Sequence, residues 1–282
     1  MNYKKITLRF SLVSALTVIL STVLLLLCFK SSFDAESGYF VEGTLPTIFW
    51  IFYIAGIVLP FAATMMLNKR QTIKTSNEIG FLKIPFLVLA VLLTACAIAF
   101  NLVLSDSNTL PIFIGICFFA VYILLCAANK GYNSSALKIL LIYLSATLPV
   151  SMIMYNNSNI MRHINSVENI LTVVFGLSFM TYILYEAKRI YLGMHSRWHF
   201  CSMLLTLHTG TTLSIAYILA YLSKSVFEKP RFLQAIAIFF VTCIIALEFF
   251  RFLKDSEIAA DEGSSEADIC NEIESEQTKE TN

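Results

Sequence analysis

Two ionisable side chains stand inside the most apolar stretches of the chain, where a titratable group is costly enough to mark a functional candidate. His208 lies in the polar run Thr206-Leu207-His208-Thr209-Gly210-Thr211-Thr212-Leu213-Ser214, and Glu248 precedes Arg251 by three residues. An imidazole beside a carboxylate can hold or relay a proton, because the negative charge favours the protonated ring. Thr211 and Thr212 add hydroxyls next to the histidine and Arg251 adds a cation next to the acid. His208, Glu248, Thr211, Thr212 and Arg251 are therefore the candidate intramembrane polar site. The same residues have plainer readings. Glu248 and Arg251 form an i,i+3 pair in which the arginine can snorkel to the interface. The histidine and its threonines can pack one helix closely against another.

Other groups carry weaker chemical signals. Glu186 ends an apolar run beside Lys188 and Arg189 and reads as an interfacial charge. His195 and His199 are four apart with Arg197 and Trp198 between them, a spacing that suits a metal, but no third ligand is evident and no metal is expected. Seven cysteines, none in a CxxC pair, read as small hydrophobes. Pro60 and Pro149 interrupt apolar segments, as in the broken helices of some transporters, and also as in ordinary helix kinks. The chain contains no Walker A loop, HExxH, GxSxG or paired intramembrane aspartates. It also lacks the paired glutamates of the eight-helix prenyl-endopeptidase-like family and the DxxxD motifs that hold prenyl diphosphate. No cofactor and no nucleic-acid partner are expected, and an intramembrane enzyme ranks third among the functional readings.

The elements that must position these residues follow from composition. The 282 residues are 57% hydrophobic and 14% charged, with a mean hydropathy of +0.73, which excludes a water-soluble domain. A helix needs roughly 20 apolar residues to cross a hydrocarbon core, where every backbone group must be bonded internally. Eight segments qualify, at about 10–29, 46–67, 84–104, 111–129, 139–155, 168–187, 200–222 and 232–252. The expected fold is an all-α polytopic bundle of eight transmembrane helices. The first segment follows Lys4, Lys5 and Arg9 but lacks a small-x-small cleavage site, and Leu27 precedes Cys28 where a lipobox needs a small residue, so it reads as a retained anchor.

Lysine and arginine favour cytoplasmic loops. With the N-terminus inside, only Lys30, Arg162, Lys224, Lys229 and Arg231 of the twenty basic residues fall outside, so both termini are placed in the cytoplasm. If the last two segments form a hairpin turning near residue 227, His208 lies level with residue 246, and Glu248 sits about 3 Å nearer the cytoplasm. Similar depth follows from that arithmetic, whereas facing does not.

Charge divides the chain into two domains. Residues 254–282 hold ten acids against Lys254 and Lys279, a net of −8, while residues 1–253 hold 18 basic and 9 acidic side chains. The first 253 residues are the membrane bundle, and the acidic tail has the low hydrophobicity of a disordered segment, with Ile269, Cys270 and Ile273 as its one apolar stripe. The first external loop contains Phe33-Asp34-Ala35-Glu36-Ser37-Gly38-Tyr39. This stretch resembles a short Asp-x-x-Ser-Gly-aromatic element that follows the first helix in uncharacterised multi-pass membrane proteins of Gram-positive anaerobes. The resemblance covers some ten residues and implies a lineage without an activity. Two functional readings remain for a plasma-membrane protein in contact with the lipid bilayer: a carrier of a small molecule or lipid, and a non-catalytic membrane partner or assembly subunit that docks proteins on its tail. Oligomeric state has no sequence signal here.

Overall fold

The computed structural model describes residues 3–34, 38–67, 73–74, 82–104, 110–128, 136–158, 166–223 and 229–280, with side chains described as far as Ser256 at the C-terminal end. The helices are α1 (Tyr3–Ser31), α2 (Thr44–Met66), α3 (Lys83–Leu104), α4 (Leu110–Ala128), α5 (Ala136–Leu144), α6 (Thr147–Ser158), α7 (Val167–Leu192), α8 (Arg197–Leu222) and α9 (Lys229–Glu280). Two antiparallel two-residue ribbons lie between them. β1 (Phe33–Asp34) pairs with β2 (Tyr39–Phe40), and β3 (Ile73–Lys74) pairs with β4 (Met194–His195).

Seven helical stretches among the described residues are long and apolar enough to cross a membrane: Ile6–Ser31, Thr44–Met66, Leu110–Ala128, Ala136–Tyr155, Val167–Leu192, Arg197–Leu222 and Arg231–Ser256. A shorter apolar stretch, Lys83–Ala99, belongs to α3. Apolar side chains such as Leu12, Met65, Ile84 and Leu184 point outward, the surface a lipid bilayer accepts. The chain is thus a helical bundle of the multi-pass membrane type.

The fifth apolar segment crosses as two pieces. The ladder breaks at Ser145 and Ala146, where Ala146 N–H donates to the Tyr143 carbonyl and Leu148 N–H to the Ser145 carbonyl, each at 3.0 Å. Pro149 is then the third residue of α6, where its missing N–H leaves no helical bond unmade. Gly115 of α4 lies directly against the Leu148 backbone, so the break is seated where one helix lacks a side chain. In α2 the helix instead continues through Pro60, and the Thr64 hydroxyl donates to the Pro60 carbonyl at 2.8 Å.

α8 is the central helix: 72% of its membrane-length window is buried, against 33% in α1 and α2. Small and hydroxylated residues suit that position, since they let backbones approach and keep their hydroxyls bonded. Thr206 donates to the Ser202 carbonyl at 2.8 Å and is within reach of the Ser178 carbonyl of α7 at 3.0 Å, and Thr209 donates to the Leu205 carbonyl at 3.0 Å.

The α7–α8 connection is short and fully specified by local chemistry. Gly193 adopts the left-handed conformation (φ 64°) and closes α7 by donating its N–H to the Arg189 carbonyl. Ser196 then caps α8 by accepting from the His199 N–H at 3.1 Å. β4 fits between the two caps, which sets His195 and His199 side by side. At the opposite end, Gly38 (φ 73°) lets the β1–β2 ribbon lie on the start of α7, and Arg231 of α9 pairs with Glu168 of α7. α9 continues as helix to Glu280. Asp255 and Ser256, grouped with the tail by charge, are buried, and the remainder of the expected tail, 257–282, lies outside the described side chains.

Candidate functional site

Where α4, α7, α8 and α9 meet, near the α7–α8 turn, eight polar side chains are each at most 3% exposed: Tyr122, Glu186, Arg189, His195, His199, Glu248, Arg251 and Asp255. Helical spacing explains their grouping. Glu186 and Arg189 are i,i+3 on α7; His195 and His199 flank the cap of α8; Glu248, Arg251 and Asp255 step by three and four along α9.

Glu186 is the hub. Its Oε1 accepts from the Tyr122 hydroxyl and from Arg189 Nη2, and its Oε2 accepts from Arg189 Nε at 2.7 Å, so the guanidinium grips it as a fork. His199 Nε2 lies 3.1 Å from the same Oε2. Arg189 Nη2 also lies 3.8 Å from Glu248 Oε2. The chain of contacts continues from ring to ring. His199 Nδ1 and His195 Nδ1 are 3.0 Å apart, His195 Nε2 is 3.3 Å from Asp255 Oδ2, and Arg251 Nε is 3.9 Å from that oxygen. Tyr182 stacks on His199 and the Phe252 edge meets His195, so aromatic walls close the sides.

His195 lies between membrane-length helices, and burial pushes its imidazolium down to about 3. The Asp255 carboxylate pulls the other way, and His199 and Arg189 reinforce burial. The unfolded ring, near 6.5, binds a proton that the folded ring refuses, so this contribution to stability is complete above pH 6.5 and is lost as pH falls toward about 3. Between pH 7 and pH 5 the contribution should shrink by about 2 kcal/mol. Thermal unfolding in micelles across that interval should show the loss in the native chain and a flatter profile in His195→Gln. Equal slopes in the two would disprove the assignment.

Of the residues singled out from sequence, Glu248 and Arg251 fall in this cluster, while His208 is elsewhere. Its ring packs on Tyr53 of α2 with centroids 5.3 Å apart, and Nε2 donates to the Tyr53 carbonyl at 3.1 Å. Gly56 provides the seat, since a Cβ there would fall inside the imidazole. Thr211 is half-buried, and Thr212 is fully buried with a hydroxyl that has no bonding partner among the described residues. The facing of His208 and Glu248 required for a joint site is not what the helices adopt.

Sequence reading passed over Asp255 and Tyr122, took Glu186 beside Arg189 for an interfacial charge, and weighed His195 and His199 only as a metal-type spacing without a third ligand. A usable signal was present: Glu186 and His199 lie at similar distances from the turn at Gly193, which places them level on antiparallel helices. At the opposite end, an open groove of about 970 Å³ is lined by Tyr39, Phe40, Glu42, Trp50, Val167 and Ile170 among others. Among the described residues no group of three or more His, Cys, Asp and Glu side chains is arranged to hold a metal ion. No family model, curated protein or solved structure matches the chain.

Proposed function

We propose that the protein is an eight-span carrier of a lipid or small molecule in the plasma membrane, with both termini cytoplasmic and the buried charge cluster at its cytoplasmic end. The observation that carries this reading is the cluster itself. Five charged side chains and two histidines are held at 3% exposure or less within and beside membrane-length helices. Burying a charge in such a setting is expensive even when it is paired, and such groups mark substrate, ion or proton pathways by default. α3 supplies the eighth span in this reading, and the fifteen-to-five division of basic residues supports the orientation. The aromatic groove at the other end offers apolar contact to a lipid chain.

The polar working groups are Glu248 and Arg251 together with Glu186 and Arg189, while His208, Thr211 and Thr212 line the central helix as packing residues. Fluorescently tagged phosphatidylglycerol in proteoliposomes tests the lipid arm. The native protein should speed its transbilayer movement, and Glu248→Gln should abolish the gain in protein that still reconstitutes folded and monodisperse. The small-molecule arm predicts instead a thermal shift with one member of a metabolite panel, since a ligand that binds only the folded state stabilises it. Failure in both assays removes the carrier reading. Reporter fusions after residue 282 should signal cytoplasm, and an external signal would overturn the eight-span count.

A second reading, a membrane partner or assembly subunit, is favoured by the continuation of α9 as helix to Glu280, through the segment bearing Ile269, Cys270 and Ile273. Deleting residues 257–282 should then release a stoichiometric co-purifying protein.

A further inference from the structure

α7 and α9 are tied together at both ends of their membrane-length stretches. Where the two helices begin, Arg231 of α9 pairs with Glu168 of α7, and both side chains are buried. Toward the other end, Arg189 Nη2 of α7 lies 3.8 Å from Glu248 Oε2 of α9, and His195, just beyond α7, meets Asp255 of α9 at 3.3 Å. From Glu168 to Arg189 is about 32 Å at the helical rise and from Arg231 to Glu248 about 26 Å, close to the thickness of a hydrocarbon core. The charges alternate: α7 supplies the acid at its start and the base near its end, and α9 does the reverse.

Charged ties at these two places have a physical meaning. Arg231 is the third residue of α9, at the positive end of the helix, where the backbone field opposes a cation, so its position is stabilised by the acid it meets. Apolar side chains would join the helices at lower desolvation cost. A buried ion pair near the end of a span differs from them in that water can solvate both partners once they part, which offsets the lost attraction. Such a joint holds when aligned and can also be opened.

Between the ties the two helices meet over a glycine. Both pack on α8, and a Cβ at Gly210, the midpoint of α8, would overlap the Thr242 methyl of α9 and lie 2.9 Å from Phe175 Cε2 of α7. Beyond α8 they keep different company: α7 packs on α5 and α6, whereas α9 packs on α3 and α1. The geometry therefore contains a fulcrum and two arms that belong to different sets of helices.

We propose that the α7–α9 seam is a gate with a latch at each end, Glu168–Arg231 and Arg189–Glu248, which opens at one end at a time about the seat at Gly210. Both latches are closed in the structure. Opening at the Arg189 end brings water to Glu186 and Glu248. Opening at the Glu168 end moves Val167 and Ile170, which also wall the aromatic groove, so groove and latch move together. The purpose of the gate rests on the carrier reading, which it deepens by stating how the buried cluster is reached from each side.

The test is hydrogen exchange read by mass spectrometry on the full chain in lipid nanodiscs, with no substrate present. Glu168→Gln should speed exchange at the first turns of α7 and α9 by at least about tenfold, with no rise at the Arg189 end. Exchanging the charges, Glu168→Arg with Arg231→Glu, should restore the native rates. Unchanged rates at the two helix starts, or a rise at both ends alike, would overturn the proposal, since the pair would then be no latch or only a general brace. The native chain carries its own reading should a variant fail to fold. The two ends of α7 should exchange as separate units with the amides around Phe175 slowest, and exchange of α7 as one unit from end to end would sink the gate. Absence of lipid or metabolite movement removes the carrier reading and leaves this exchange pattern standing, so the two proposals fail separately.

Discussion

Glu186→Gln is expected to cost about 3–5 kcal/mol of stability, the range found when one partner of a buried ion pair is removed. The glutamate oxygens accept from Tyr122 and from both arms of the Arg189 fork, and His199 Nε2 lies 3.1 Å from Oε2. Glutamine keeps the shape but removes the charge, and its amide group presents a donor where donors already converge. Arg189 loses the carboxylate that grips both arms of its fork, with Glu248 Oε2 3.8 Å from its Nη2. Unfolding in mixed micelles measures the loss. The paired variant Glu186→Gln, Arg189→Met should be less destabilised than Glu186→Gln alone, because it removes the buried cation along with the carboxylate that neutralises it. A single variant as stable as the native chain would mean that the cluster is open to water and the buried-charge argument is wrong.

Gly115→Ala has the second largest expected effect, and its origin is steric. A Cβ at this position would overlap the Leu148 backbone nitrogen and lie 2.6 Å from its Cα. Backbone cannot swing aside as the tip of a flexible side chain can, so α4 and the α5–α6 break must separate. The cost should be about 3 kcal/mol, the upper part of the range for overpacking. Gly43→Ala is the control: a Cβ there comes no nearer than 3.9 Å to another atom, and φ of 170° is ordinary extended backbone. That change should fall within about 0.5 kcal/mol of neutral. If the two alanine variants unfold at the same temperature, the close seat of the broken helix on α4 is not a constraint.

Much of the architecture was legible because its causes are local. Long apolar runs can satisfy their backbone only as helices in a bilayer. Gly193 and Ser196 carry the cap chemistry that ends α7 and starts α8. In the threonine-rich stretch of α8, Thr206 and Thr209 bond back to their own helix and Thr206 also reaches α7, in keeping with the plainer close-packing reading. The exact place of the break in the fifth segment was less legible. Pro149 marks it only approximately, because a proline is tolerated just inside a helix start, and the turn itself falls at Ser145 and Ala146.

The sequence by itself determined that this protein is an apolar, helical, multi-pass chain and roughly where each helix lies, because hydropathy and capping act over one or two turns. It also singled out Glu248 and Arg251, which in the structure lie in the buried polar cluster. Only the tertiary structure decided which groups meet there, because depth is counted along a helix while facing depends on its rotation. Lys188 and Arg189 show the difference: they are neighbours in sequence, yet the lysine is exposed and the arginine is buried on Glu186. Likewise His208 turns to Tyr53 and Gly56 of α2 while Glu248 turns to Arg189. A residue step of about 100° around the helix axis separates those outcomes, and no one-dimensional count contains the rotation of one helix against the next.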